Sequence, residues 1–284
     1  MQIKWQSLLM SLVLGSLAIG LPGNTHNAAL DLASQKARAQ QSVQLSEEQL
    51  YRKAQAITVR VLSSLSLIGS GTLIESKGDT YWVLTNAHVL RSAQSPYQIQ
   101  TPDGAIYEAE VVTPEEFQKN DLAILQFSTG GNSYDLAQFG TSATLIQGEE
   151  VFAAGFPFSL EKRAAASEQN ASLSIPSASV YPLDNSFAFK KGQIVLVLDK
   201  ALEGGYQVGY TNDIERGMSG GPLLNGAGEL VGVHGMQAYP LWEALDRYED
   251  GSVPSPPLQS LISRSNWAIP IERIVQPVAP AKLW

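Results

Sequence analysis

The chain is 284 residues long, carries a net charge of −8, contains no cysteine, and is 44% hydrophobic against 16% charged. Those proportions are ordinary for a globular protein and exclude a disordered or fibrous one. The missing cysteines exclude disulfides, thiol nucleophiles and cysteine-held zinc, and the acidic balance argues against nucleic acid or an anionic lipid surface as partner.

In chain order, the opening "MQIKWQSLLMSLVLGSLAIGLPG" has Lys4 and then an apolar run from Leu8 to Leu21, closed by Pro22. That run is too short and too early for a spanning helix. Ala37, Arg38 and Ala39 form a small-residue cleavage pattern, so residues 1–39 read as a secretory signal, with a retained membrane anchor as the alternative. Its removal takes away three basic residues and one acidic residue and leaves a net charge of −10. The expectation is an extracytoplasmic protein, periplasmic or secreted, without stable membrane insertion. "SEEQLYRKAQ" follows, with Ser46 placed to cap a helix, which makes residues 40–56 an N-terminal helical segment.

From there the chain becomes a series of short β-rich runs: "ITVRVL", "GTLIE", "YWVLT", "YQIQT", "EAEVV", "LAILQF", "EVFAAGF", "QIVLVL", "YQVGYT", "LLNG", "ELVGVHG" and "WAIPI". Turn residues separate them at a spacing near ten, the signature of antiparallel sandwiches and barrels, so the fold class is all-β. The runs divide into residues 57–132 and 149–275, joined by a polar linker at 133–148 and followed by a tail at 276–284. Two irregular segments, Glu161–Ser186 and Met236–Ser265, interrupt the second half, and "LWEALDRYED" inside the latter suggests one more helix.

The densest signal is "ERGMSGGPLL", which contains G-x-S-G-G-P around Ser219. Five fixed positions arise by chance about once in a few thousand chains of this length. The same letters satisfy the G-x-S-x-G nucleophile elbow, but that motif needs a helix after the serine and the order serine, acid, histidine. Here strand-like runs follow, and His234 lies downstream with no aspartate between. The reverse order is met by His88, at the end of "YWVLTNAHVL", and Asp121, which opens "DLAILQF". Asp103, in "PDG", is explained more simply as a turn residue. A carboxylate at the mouth of an apolar strand can hold an imidazole tautomer, so His88 is the expected base, Asp121 its orienter and Ser219 the nucleophile. Three histidines (His26, His88 and His234) and no "HExxH" or phosphate loop leave no expected metal or cofactor.

Together, "GSGTLIE", "LTNAHVL", "NDLAILQF", "GMSGGPLLNGAGELVGVHG" and "WAIPIERI" resemble the trypsin-like serine proteases of bacteria, in particular the exported HtrA-type protease domain, over roughly Ile57 to Val275. The resemblance implies two perpendicular six-stranded antiparallel barrels, chymotrypsin-like, with the site in the cleft between them. It also implies an oxyanion hole from the backbone N–H groups of Gly217 and Ser219, and protein or peptide substrates. The alternative is a catalytically silent, protease-like module that holds peptides. Met218 stands where trypsin has an aspartate that pairs with a freed N-terminus, so that activation switch is expected to be missing, as is the PDZ domain that follows in HtrA proteins.

For the substrate pocket the resemblance gives two opposed assignments. Asp213 matches the position where trypsin keeps the acid for Lys or Arg, and His234 matches the histidine with which staphylococcal glutamyl endopeptidases hold an acidic side chain. The ungapped "GELVGVHG" favours His234. The plainer readings are a strand histidine beside the pocket and a solvated loop acid.

Overall fold

The structure, a computed structural model, describes residues 44–117, 119–158, 186–239 and 245–275. Helix α1, Glu47–Ile57, starts where the sequence places a cap. The Ser46 hydroxyl accepts from the Gln49 N–H at 3.2 Å, and the Gln49 side chain accepts from the Ser46 N–H at 2.9 Å, a reciprocal box that satisfies two otherwise orphaned donors. Leu50, Ala54 and Ile57 form its buried stripe. Thr58 ends the helix and begins the first strand without a break.

Six strands follow: β1 Thr58–Ser63, β2 Ser66–Lys77, β3 Thr80–Thr85, β4 Tyr97–Gln100, β5 Ile106–Val111 and β6 Ala123–Ser128, with the short helix α2, Ala87–Arg91, between β3 and β4. They close into an antiparallel barrel in the order β1-β2-β3-β6-β5-β4. Alternate residues point inward, so Val59, Val61, Leu73, Val83, Ile99, Leu125 and Phe127 pack as one core.

The second set repeats the arrangement: β7 Glu150–Gly155, β8 Ala188–Val197, β9 Val208–Tyr210, β10 Pro222–Leu224, β11 Leu230–Met236 and β12 Asn266–Pro270. These close in the order β10-β11-β12-β9-β8-β7 around Val151, Ile194, Tyr210, Leu223, Val231 and Ala268. A third apolar cluster joins α1 to both barrels through Leu50, Trp82, Ile124, Phe152, Phe156 and Leu224. With no disulfide, closure satisfies the strand edges that open sheets leave exposed. The two closed six-stranded antiparallel barrels give the chymotrypsin-like fold that the sequence led us to expect.

Most of the irregular segment 161–186 lies outside the described residues, as do the first four residues of "LWEALDRYED". The described remainder of that run, Leu245–Asp250, forms bends and turns rather than the expected helix. The helix of this region is instead α3, Pro256–Arg264, in a stretch expected to be irregular. Prolines there sit in the first turn, where their missing N–H costs nothing, and Ile262 is buried. The chain ends its described course in α4, Glu272–Val275.

The barrels meet at Ser70 of β2. Its N–H donates to the Ser219 carbonyl at 2.9 Å and its hydroxyl donates to the Gly217 carbonyl at 2.8 Å. The same hydroxyl accepts from the Phe156 N–H at 2.9 Å, while the Ser70 carbonyl accepts from the Thr85 hydroxyl at 2.8 Å. Ser70 is fully buried, so replacing it with alanine leaves a donor and an acceptor unsatisfied in the dry seam. Ser70→Ala is expected to lower the unfolding free energy by about 2–4 kcal/mol, measured by urea denaturation.

Candidate active site

Each of the three residues singled out by the sequence is positioned by a different local device. His88 lies in the first turn of α2, directly after β3 ends, which turns its side chain from the barrel wall to the seam. Asp121 precedes β6 and is held by backbone: its N–H donates to the Gly204 carbonyl at 2.8 Å, and its carbonyl accepts from the Asn86 side chain at 2.8 Å. Ser219 sits in the tight turn leading into β10. Two glycines there have positive φ, Gly217 at 99° and Gly220 at 88°. A Cβ on Gly217 would lie 2.5 Å from the Phe156 carbonyl, and one on Gly220 would collide with the Ser70 carbonyl, so both conformation and space require glycine.

The Asp121 carboxylate is 11% exposed and fully engaged. Oδ1 accepts from the His88 N–H at 2.8 Å, with the Arg91 guanidinium 3.4 Å away. Oδ2 accepts from His88 Nδ1 and, at 2.6 Å, from the Tyr206 hydroxyl. Burial alone raises its pKa, but the hydrogen bonds from His88, the His88 charge and the Tyr206 bond outweigh it and leave the carboxyl below its ordinary value. An ionised Asp121 fixes the proton on His88 Nδ1 and leaves Nε2 as the basic nitrogen.

Ser219 is not bonded to this pair. Among the described residues its hydroxyl makes one hydrogen bond, a long one of 3.4 Å to the Gly235 carbonyl. The backbone N–H groups of Gly217 and Ser219 donate to no described residue, although Gly217 is buried, whereas the flanking Met218 and Gly220 amides bond Glu215 and His234 carbonyls. Buried N–H groups are rarely left unpaired, and here the buried Gly217 amide, beside the Ser219 hydroxyl, has no acceptor among the described residues.

The two pocket assignments fare differently from the triad. His234 is fully buried, and its Nε2–H donates to the Ala154 carbonyl at 2.9 Å, so the ring lies behind the Ser219 turn rather than at the protein surface. Burial pushes its pKa down to about 4, against a smaller opposing effect of the Ala154 bond, so it is neutral at pH 7 and offers no charge to an acidic side chain. Asp213 points to solvent, its side chain 85% exposed, with Lys190 at 3.5 Å as its cationic neighbour. Neither residue is placed as the resemblance suggested, because the β11 register turns His234 into the barrel and the loop before Ser219 turns Asp213 out. Gln237, not singled out from sequence, ties the two flanks of the turn by donating to the Ile214 carbonyl at 2.6 Å. No group of three or more candidate ligands gathers for a metal among the described residues.

A two-barrel fold with a glycine-rich serine turn and a half-buried Asp–His pair at its seam defines the trypsin-like class. The family model of the trypsin-like peptidase domain matches residues 69–233, more than half of the chain, and the chain belongs to that family. Protease Do-like 1, chloroplastic, of Arabidopsis thaliana is 29% identical over 179 residues, 63% of this chain and 35% of its own length. The putative serine protease HhoA of Synechocystis is 30% identical over 166 residues, 58% of this chain and 36% of its own. The serine protease Do-like HtrA of Bacillus subtilis is 30% identical over 170 residues, 60% of this chain and 33% of its own. The chain thus spans about a third of the length of these relatives. A solved structure titled "Crystal structure of Deg5" matches with a TM-score of 0.55 over 84% of this chain and 97% of that one, at 21% identity, a likeness of fold.

The buried imidazole gives a pH prediction. The folded His234 pKa of about 4 lies below the ordinary imidazole value of 6.5, so the unfolded chain binds the extra proton first, and stability present above pH 6.5 is lost as pH falls toward 4. Between pH 7 and pH 5 the loss from this residue is about 2 kcal/mol. Urea denaturation at the two pH values, on Ser219→Ala protein, is expected to show it, and His234→Gln is expected to remove it.

Proposed function

We propose that the chain is an exported serine endopeptidase that cleaves peptide bonds of protein or peptide substrates through Ser219, His88 and Asp121. The observation that carries the reading is the ionised Asp121 bound to His88 Nδ1 beside a serine turn with two amides that donate to no described residue. When substrate arrives, the Ser219 hydroxyl turns from the Gly235 carbonyl to His88 Nε2, which accepts its proton as Oγ attacks the scissile carbonyl. The Gly217 and Ser219 N–H groups receive the charge that develops on the carbonyl oxygen, where one such donor is worth about 3–4 kcal/mol. His88 then protonates the leaving amine, and a water activated by the same nitrogen hydrolyses the acyl-enzyme.

Two features support activity without internal cleavage. Met218 is fully buried in the second barrel's core, with no carboxylate to receive a new N-terminus. Upstream, α1 runs straight into β1 with its apolar stripe packed, so the chain near residue 57 is part of the fold. Export rests on the sequence of residues 1–39, and N-terminal sequencing of the protein recovered outside the cytoplasm is expected to begin at Gln40. With His234 neutral and buried and Asp213 turned outward, no charge preference is expected for the residue before the scissile bond. Peptide-library profiling reads this directly, and a strong bias for acidic or basic side chains contradicts it.

One observation favours the second reading, a peptide-holding module that does not cut: the Ser219 hydroxyl rests on Gly235 rather than on His88. A fluorophosphonate probe separates the two, because it reacts with a serine only where a base activates it. Labelling at Ser219, lost in His88→Ala, is expected. Ser219→Ala and His88→Ala are each expected to lower kcat by on the order of 10⁶, with the double variant little worse, since the residues act as a unit. Absence of labelling in the unaltered protein leaves the binding module standing.

A further inference from the structure

The carboxylate of the first barrel takes much of its support from the second. The turn Leu202–Tyr206, between β8 and β9, is closed by the Gly205 N–H on the Leu202 carbonyl at 3.0 Å and the Leu202 N–H on the Tyr206 carbonyl at 2.8 Å. It meets Asp121 twice, once at the backbone through the Gly204 carbonyl and once at the carboxylate through the Tyr206 hydroxyl. The phenol is 2% exposed and its 2.6 Å bond to an ionised oxygen is of the short, charge-assisted kind.

The phenol reaches this position because the residue beside Ser219 has no side chain. A Cβ at Gly235 would lie 2.5 Å from the Tyr206 hydroxyl oxygen and 2.7 Å from the Asn86 side-chain oxygen. Tyr206 and Gly235 therefore share one volume: the hydroxyl of one fills the space that any side chain on the other would claim. Both the donor and the vacancy that admits it lie in the second barrel, facing a carboxylate of the first.

We propose that Tyr206 is a positioning residue of the active site, holding the Asp121 carboxylate in line with His88 Nδ1, and that Gly235 is glycine to admit its hydroxyl. The inference rests on the triad reading above. Oδ2 takes two donors, so the phenol fixes which lone pair faces His88 and stops the carboxylate rotating about its Cβ–Cγ bond. Arg91, the other charged group facing this carboxylate, lies on the Oδ1 side at 3.4 Å with its own side chain 67% exposed, and cannot replace that constraint.

The test compares the unaltered chain with Tyr206→Phe, which keeps the ring in the core and removes the donor. A tilted carboxylate slows proton transfer without touching the substrate, so kcat is expected to fall about tenfold with KM within about twofold. Unchanged kcat, whatever happens to the melting temperature, overturns the proposal. A second arm needs no turnover: in a Ser219→Ala background the far-downfield proton NMR signal of His88 Nδ1–H is expected to move in Tyr206→Phe, and a signal that stays put overturns the proposal even if the chain cuts nothing. Failure of the triad reading itself shows instead as absent probe labelling of the unaltered protein. The shared volume is tested by Gly235→Ser. Alone it is expected to lower kcat by crowding the phenol, and combined with Tyr206→Phe, where its hydroxyl takes the vacated space, to recover part of the loss. Losses that simply multiply overturn the pairing of Gly235 with Tyr206.

Discussion

One hydroxyl and one amide, both of Ser70, carry the contact on which the site depends. Ser70 belongs to a strand of the first barrel, yet its hydrogen bonds end on Gly217, Ser219 and Phe156 of the second. The serine turn closes on two hydrogen bonds of its own, from the Met218 N–H to the Glu215 carbonyl and from the Gly221 N–H to the Met218 carbonyl. Its glycines adopt positive φ at an entropic cost, and its Gly217 and Ser219 amides donate to no described residue. The carbonyls of Gly217 and Ser219 are instead pinned from across the seam, and with the carbonyls fixed, the adjacent amides are fixed as well. Preorganised donors of this kind cost no reorganisation when charge appears before them.

The opposite crossing completes the symmetry. Asp121 of the first barrel is held by Gly204 of the second, and Arg273 of α4 bonds the neighbouring Asn120 side chain at 3.0 Å. Each barrel thus braces the other's contribution. A buried carboxylate is costly unless every lone pair is used, and Asp121 meets that demand with donors from both sides.

How much of this was legible in the sequence depended on how local each signal is. The twelve β-rich runs correspond to the twelve strands because a period of two survives in short windows, and Ser46 announced α1 because a cap acts within three residues. His88, Asp121 and Ser219 could be singled out because each stands in a run whose composition departs from its surroundings. Pocket geometry was not legible in the same way. Which way His234 faces is a matter of register, and a single step along β11 exchanges barrel interior for cleft. Tyr206 carries no local mark at all. In "EGGYQVGY" it reads as one more strand aromatic, and its bond to a residue 85 positions earlier follows from topology alone. Helix α3 was hidden by its prolines, which suggest a loop unless they are placed in the first turn.

That separation of 85 positions also orders events in time. A chain made from its N-terminus at about 5–20 residues per second presents Asp121 and His88 together about 4–17 seconds before Tyr206 follows, and Ser219 later still. The first barrel can close during that interval, because all six of its strands have by then emerged. The seam cannot be completed then, since the bonds from Ser70 to Gly217 and Ser219 and from Asp121 to Tyr206 end on residues not yet made. A nascent chain therefore holds His88 and Asp121 before Tyr206 and Ser219 exist, and the four come together once, when the last strands wrap the second barrel against the first.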